Sequence, residues 1–259
     1  MTAVAAFAWS VVRDALHRKV FYVVLALAVI LILLVPLLPS AQLGVKIDLM
    51  REAALGLTSI TAFLLGVILG STIIWGEMER RTVYNTLSKP VYRWQYYLGK
   101  LLGLAVALIF ALALIYVVLI LFVLIYFGVF NPGLAKAFFA IFLEALLLAS
   151  AAMALSVHLS PLVCVFFTIL IYVLGHVKGD FLYRTMNDAA NGIILRGLAG
   201  VAYYALPNLE RLNINETVAH GERVFKVGPV ELALLAGMAL AFTAIIVYVG
   251  LFLFKRRDL

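Results

Sequence analysis

Few residues in this chain are equipped for chemistry, and their spacing excludes most of what they could do. The four histidines, His17, His158, His176 and His220, are scattered with no pair at ligand spacing, so no metal site is expected. Cys164 is the single cysteine and lies inside an apolar run, which excludes an intrachain disulfide and a cysteine-based zinc site. No G-x-x-x-x-G-K-S/T motif occurs. The nearest stretch, Leu98-Gly99-Lys100, lacks the upstream glycine and the following hydroxyl that cradle phosphates. Glu144 is the one acidic residue well inside an apolar run. An ionised carboxylate is costly in hydrocarbon, so Glu144 must face other helices, a partner or a water-filled path. It is a candidate for a translocation path, or for a structural hydrogen bond between helices. No catalytic residue and no resident cofactor are expected, and the chain does not read as an enzyme.

The most informative polar stretch is Trp75 to Gly103, WGEMERRTVYNTLSKPVYRWQYYLGKLLG. It holds five basic and two acidic residues between two long apolar runs. Glu77, Met78, Glu79, Arg80 and Arg81 come straight off the preceding run. Thr82 to Leu87 could continue as a short helix, and Pro90 disfavours helical backbone at Lys89. Tyr92, Trp94, Tyr96 and Tyr97 form an aromatic band suited to headgroup level, with Lys100 anchoring the next run. Such a charged, aromatic knob fixed to two spans is a poor catalytic site and a plausible handle for a cytoplasmic partner.

The elements that carry this knob follow from composition. The 259 residues are 66% hydrophobic and 13% charged, with mean hydropathy +1.12. Soluble domains carry about 25% charged residues. The apolar residues fall in continuous runs without period-2 alternation, which predicts an all-α polytopic membrane protein. Met1 to Lys19 reads as an interfacial elbow helix rather than a signal peptide. Six transmembrane helices are expected, at about Val20–Leu38, Ala54–Trp75, Leu101–Phe127, Ala137–Val157, Leu162–Val177 and Val230–Phe254. Residues 76–100 form a cytoplasmic segment and 178–229 an external segment, within one transmembrane domain spanning 1–259. Within the external segment, Ile193 to Leu206 is apolar enough to lie on the membrane or dip into it. Eleven basic residues fall on one side: Arg13, Arg18, Lys19, Arg80, Arg81, Lys89, Arg93, Lys100, Lys255, Arg256 and Arg257. The two short opposite connections carry only Lys46, Arg51 and Lys136, so both termini are expected in the cytoplasm. The net charge of +7 reads as membrane anchoring, not nucleic-acid binding. Gly66 with Gly70, and Gly99 with Gly103, have the four-residue spacing that lets helices approach closely. Asn215-Glu216-Thr217 is a sequon of no predictive weight.

The stretches Glu77-Met78-Glu79-Arg80-Arg81-Thr82, Leu87-Ser88-Lys89-Pro90, Tyr92-Arg93 and Tyr97-Leu98-Gly99-Lys100 resemble the stand-alone membrane subunits of ABC-2 type ABC transporters. Arg81 stands where many members have glycine. Ala205-Leu206-Pro207-Asn208-Leu209 and Phe254-Lys255-Arg256-Arg257-Asp258-Leu259 are similar as well. The resemblance implies a permease subunit, an exporter in a bacterial cytoplasmic (inner) membrane, paired with a second permease copy. It implies a separate cytoplasmic ATPase that binds ATP and Mg, seated on a coupling element of Glu77, Glu79, Arg80, Arg81, Thr82, Leu87, Ser88, Lys89, Pro90 and Arg93.

Two other classes fit less well. An ATP-independent secondary transporter would place coupling-ion groups in broken helices near the midplane, often with an internal repeat; Glu144 is the only such group and no repeat is evident. A membrane-bound enzyme, assembly factor or scaffold would cluster polar or histidine residues at one interface, and none cluster. Lipid, polysaccharide, peptide, antibiotic, haem-related cargo and support of copper-enzyme maturation are all compatible with this permease type. The scarcity of intramembrane charge leans toward an apolar or amphipathic cargo.

Overall fold

The computed structural model describes residues 3–35, 43–80, 91–128, 133–188, 192–215 and 228–257. Among them every regular element is helical and no strand occurs. Helix α1, Ala3–His17, turns its Val11, Val12 and Ala15 inward and leaves Arg13, Asp14 and His17 exposed. At Arg18 the backbone becomes extended (φ −79°, ψ 121°) and the chain bends by 63° into α2, Lys19–Leu34. The expected elbow is therefore a helix with a sharp corner.

Helix α3 runs Leu43–Glu79, well beyond the expected Ala54–Trp75. No proline interrupts it, and Lys46, Asp48, Arg51 and Glu52 lie past the apolar stretch, where charge does not oppose helix. Its 37 residues extend about 55 Å at 1.5 Å per residue. Helix α4, Arg93–Phe127, likewise begins before Leu101. Its start is set by a capping box in which the Tyr92 N–H donates to Gln95 Oε1 (3.2 Å). It ends at Gly128, whose φ of 65° suits a residue without Cβ and lets its N–H reach Leu124 O.

Helices α5 (Gly133–Leu155), α6 (Pro161–His176) and α9 (Pro229–Arg256) fall close to their expected positions. The described residues of the segment expected to be external, 178–188 and 192–215, are mostly helical. A π turn at Lys178–Leu182 leads into α7, Tyr183–Asn187, followed by α8, Ile193–Ala205, and a 3-10 turn at Glu210–Leu212. Helix α8 buries only Ala199 and exposes Ile193, Ile194, Leu198, Val201 and Tyr204. Lys178 Nζ donates to Leu206 O (2.6 Å) and lies over the Tyr203 ring, tying this segment down. Burial, with Arg211 nearby, holds that ammonium below the ordinary lysine range.

Among the described residues, four helices are long and apolar enough to cross a bilayer: Met50–Glu79, Arg93–Ile125, Gly133–Leu155 and Pro229–Arg256. The bent pair α1–α2 makes a fifth if taken as one span. Helix α6, at 16 residues, extends about 24 Å and falls short of the usual 30 Å core. The expectation of six spans is thus met in part, by four to five on length and composition.

The buried centre is α5, which packs against α3 on one side and α9 on another. Close approach of α3 depends on Gly66 and Gly70. A Cβ at Gly70 would lie 2.5 Å from Ala149 O and 3.0 Å from Ala152 Cβ. In lipid, helices gain little from hydrophobicity and associate through such close packing. Buried hydroxyls in the helices satisfy themselves locally: Thr58, Thr168 and Thr243 each donate to the carbonyl four residues back.

Candidate functional site

Four elements converge at one end of the bundle: α1, the last turns of α3, the first turns of α4 and the last turn of α9. The glycines of α4 allow this. A Cβ at Gly103 would lie 2.5 Å from Ala8 O and 2.6 Å from Val11 Cβ, so α1 lies directly on the α4 backbone. Gly99 meets Phe7 and Val4 in the same way.

Glu77 sits at the centre of this junction. Its Oε1 pairs with Lys100 Nζ, and its Oε2 accepts a hydrogen bond from Tyr96 Oη (2.6 Å). Lys100 also donates to Ser10 Oγ (3.4 Å), and Ser10 in turn donates to Phe7 O (2.7 Å). The Lys100 side chain is only 3% exposed, so its charge depends on Glu77 for compensation. The Tyr96 ring stacks on Phe254 of α9 (centroids 5.5 Å apart) and meets Phe7 of α1 edge-on (5.4 Å). One carboxylate therefore ties α3 to α4 and, through Lys100 and Tyr96, to α1 and α9.

Arg93 makes a second tie. Its Nη1 donates to Lys255 O (2.8 Å), Arg257 O (3.2 Å) and Phe254 O (3.4 Å), the final carbonyls of α9. A cation there also complements the negative end of the helix dipole. Helix α1 and the end of α9 are thus fastened to the first turns of α4.

Among the residues expected to couple to a partner, Glu77 and Arg93 are engaged inside the junction, while Glu79 and Arg80 are exposed at the end of α3. Arg81, Thr82, Leu87, Ser88, Lys89 and Pro90 lie outside the described residues. The sequence reading gives Lys100 only as an anchor and Tyr96 only as part of an aromatic band, and it does not single out Ser10. Tyr96 and Lys100 are four apart and share a helix face, a visible signal. Their pairing with Glu77 across the intervening polar segment had none.

Glu144 is buried at the middle of α5, 3% exposed. His176, at the end of α6, brings Nε2 to 3.3 Å from Glu144 Oε1. His176 Nδ1 faces Tyr172 O (3.1 Å), an acceptor only, so Nδ1 carries a hydrogen. The Nε2–Oε1 contact does not have hydrogen-bond geometry, and Glu144 Oε1 is left without a hydrogen-bond partner among the described residues. Tyr172 stacks on Phe63 (4.3 Å), fixing the α6 end against α3. No sequence spacing links Glu144 to His176; antiparallel packing of α5 and α6 brings them together. Among the described residues, no three histidine, cysteine or acidic side chains group to hold a metal ion.

An all-helical, multi-pass membrane protein with its polar machinery gathered at one end of the bundle is the class this arrangement defines. The family model described as ABC-2 family transporter protein matches residues 5–259. The chain belongs to that family and is accordingly a membrane transport subunit. No curated protein matches the chain closely enough to add to this.

Proposed function

We propose that this chain is the permease half of an ATP-driven exporter, working as a pair of copies and powered by a separate cytoplasmic ATPase that binds ATP and Mg. The end of the bundle that carries α1, Glu77 and Arg93 faces the cytoplasm, in a bacterial inner membrane. The segment from Glu77 to Arg93 is the element on which the ATPase seats. What supports this reading is the Glu77–Lys100–Tyr96 junction. Its two flanks, the end of α3 and the start of α4, are joined to each other and to α1 and α9. A displacement applied at exposed Glu79 and Arg80 therefore reaches four helices together. A ligand-driven change of state needs a differential interaction with two conformations, and the ATPase supplies it by closing.

The test is co-purification with the ATPase, followed by charge reversal at Glu79 and Arg80. Stimulation of ATP hydrolysis by the permease should fall at least about tenfold, the cost of about 1.4 kcal/mol in coupling. A stable complex with unchanged stimulation would sink the assignment.

A further inference from the structure

Two connected cavities open beside the junction, on the inner side of the α1–α2 corner. One, about 270 Å³, is lined by Asp14, Arg18, Thr72, Glu77, Arg80 and Lys100 among others. Its neighbour, about 610 Å³, shares Asp14, Arg18, Thr72 and Arg80 and adds His17, Lys19 and Glu79. Glu77 and Lys100 already neutralise each other. Arg18, Lys19 and Arg80 remain against Asp14 and Glu79, so the space is net cationic.

Arg18 is positioned for an acceptor. Its Nη1 donates to Thr72 Oγ1 (2.6 Å), and the Thr72 hydroxyl donates in turn to Ile68 O (2.8 Å). The guanidinium is thereby fixed at the rim by one nitrogen, and the rest of its planar fork suits a bidentate oxyanion. The larger cavity is not polar throughout. Val20, Ile68, Trp75 and Pro161 line it, and beyond Val20 the exposed apolar side chains Val23, Leu27 and Ile30 run along α2. Beyond Pro161 lies exposed Leu162. A cationic recess that grades into an apolar strip matches an amphiphile with a phosphate at one end and acyl chains at the other.

We propose that this recess binds the phosphate of a membrane phospholipid, held by Arg18, Lys19 and Arg80, with its acyl chains along α2. Because the α1–α2 corner forms one wall, an occupied site would brace the elbow against the end of α3. The phosphate chemistry is shared with free inorganic phosphate, and the apolar strip favours the lipid.

The test uses the full chain, delipidated in detergent, with bound lipid counted by native mass spectrometry as phosphatidylglycerol is added. Loss of two phosphate-facing cations in Lys19→Gln/Arg80→Gln should cut lipid occupancy by about tenfold. That pair leaves the Arg18–Thr72 bond in place, so the elbow keeps its hydrogen bond. Arg13→Gln/Arg256→Gln removes the same charge from the same end, outside the recess, and should leave occupancy unchanged. Equal occupancy in both double variants would overturn the site, since the lipid would then be held only by general charge. Inorganic phosphate displacing the lipid at millimolar concentration, with the same dependence on Lys19 and Arg80, would overturn the lipid assignment in favour of the free ion. No ATPase is present in this assay, so its failure leaves the coupling reading intact, and failure of coupling leaves the lipid site intact.

Discussion

At the scale of single residues, the most consequential group is Lys100. Its side chain is almost wholly buried while that of Glu77 is a quarter exposed, so the two halves of the pair are not equivalent. Removing the carboxylate strands a buried ammonium, whereas removing the ammonium leaves a carboxylate that can reach water. Glu77→Gln is therefore expected to destabilise the protein by about 3 kcal/mol, the cost of breaking a buried pair, and Lys100→Met by clearly less. Thermal unfolding in detergent, followed by circular dichroism, measures both. The double variant should be more stable than Glu77→Gln alone, because the stranded charge is gone. Equal losses from the two single variants would show that the pair is solvated and that the junction is held by its aromatic contacts.

At the scale of helices, the contacts of α3 with α5 and of α4 with α1 are set by small residues. Gly70→Val would drive side-chain atoms into the Ala149 carbonyl, and overpacking of this kind costs about 1–3 kcal/mol. Gly56, on the same helix, has open space where its Cβ would fall. Gly56→Ala should be neutral to slightly stabilising, since alanine is the better helix former. Comparing unfolding temperatures of the two variants separates packing from propensity. The four-residue spacing of Gly66 and Gly70 was legible in the sequence, but the face they meet was not, because α5 is small and apolar on several sides. Helix ends were legible only where a breaker stood. Pro161 and Pro229 each sit at the first position of their helix, as proline permits. Without a breaker, α3 continued through Lys46, Asp48 and Arg51, and α4 started at Arg93, because aqueous helix ends tolerate charge. The partnerships of Glu77 with Lys100 and of Glu144 with His176 join residues on different helices. Periodicity, which reports one helix at a time, carries no trace of them.

At the scale of the molecule, the fastening of α1 and the end of α9 to the first turns of α4 makes a statement about sidedness that can be checked. Arg93 holds the final carbonyls of α9, and Gly99 and Gly103 receive α1, so the two termini share one end of the bundle. The basic residues on α1, the first turns of α4 and the last turn of α9 lie at that end, the one that the proposed function and the positive-inside rule set in the cytoplasm. The segment that follows α6 is attached to it through the Leu209 N–H to Gly175 O bond and Lys178 to Leu206 O, beside His176, which contacts mid-helix Glu144 on α5. Cys164 is the only native thiol and is buried, so a Cys164→Ser background is a small change on which single reporter cysteines can be placed. Arg13→Cys and Arg256→Cys should both react with a membrane-impermeant maleimide only after the cytoplasmic face is opened. Tyr204→Cys, exposed on α8, should react from outside in intact cells. Labelling of Arg13→Cys and Arg256→Cys from opposite faces would mean an odd number of crossings, and would separate the charge rule from the contacts made by Arg93. With both on the cytoplasmic face the number of crossings is even, so α1–α2 and the stretch containing α6 either both cross or neither does, alongside the four long helices. A cysteine at Leu162, at the start of α6, then identifies which. Reaction from the cytoplasmic face, together with outside reaction of Tyr204→Cys, means that the 16 residues of α6 and the π turn beyond them cross the bilayer despite their short length.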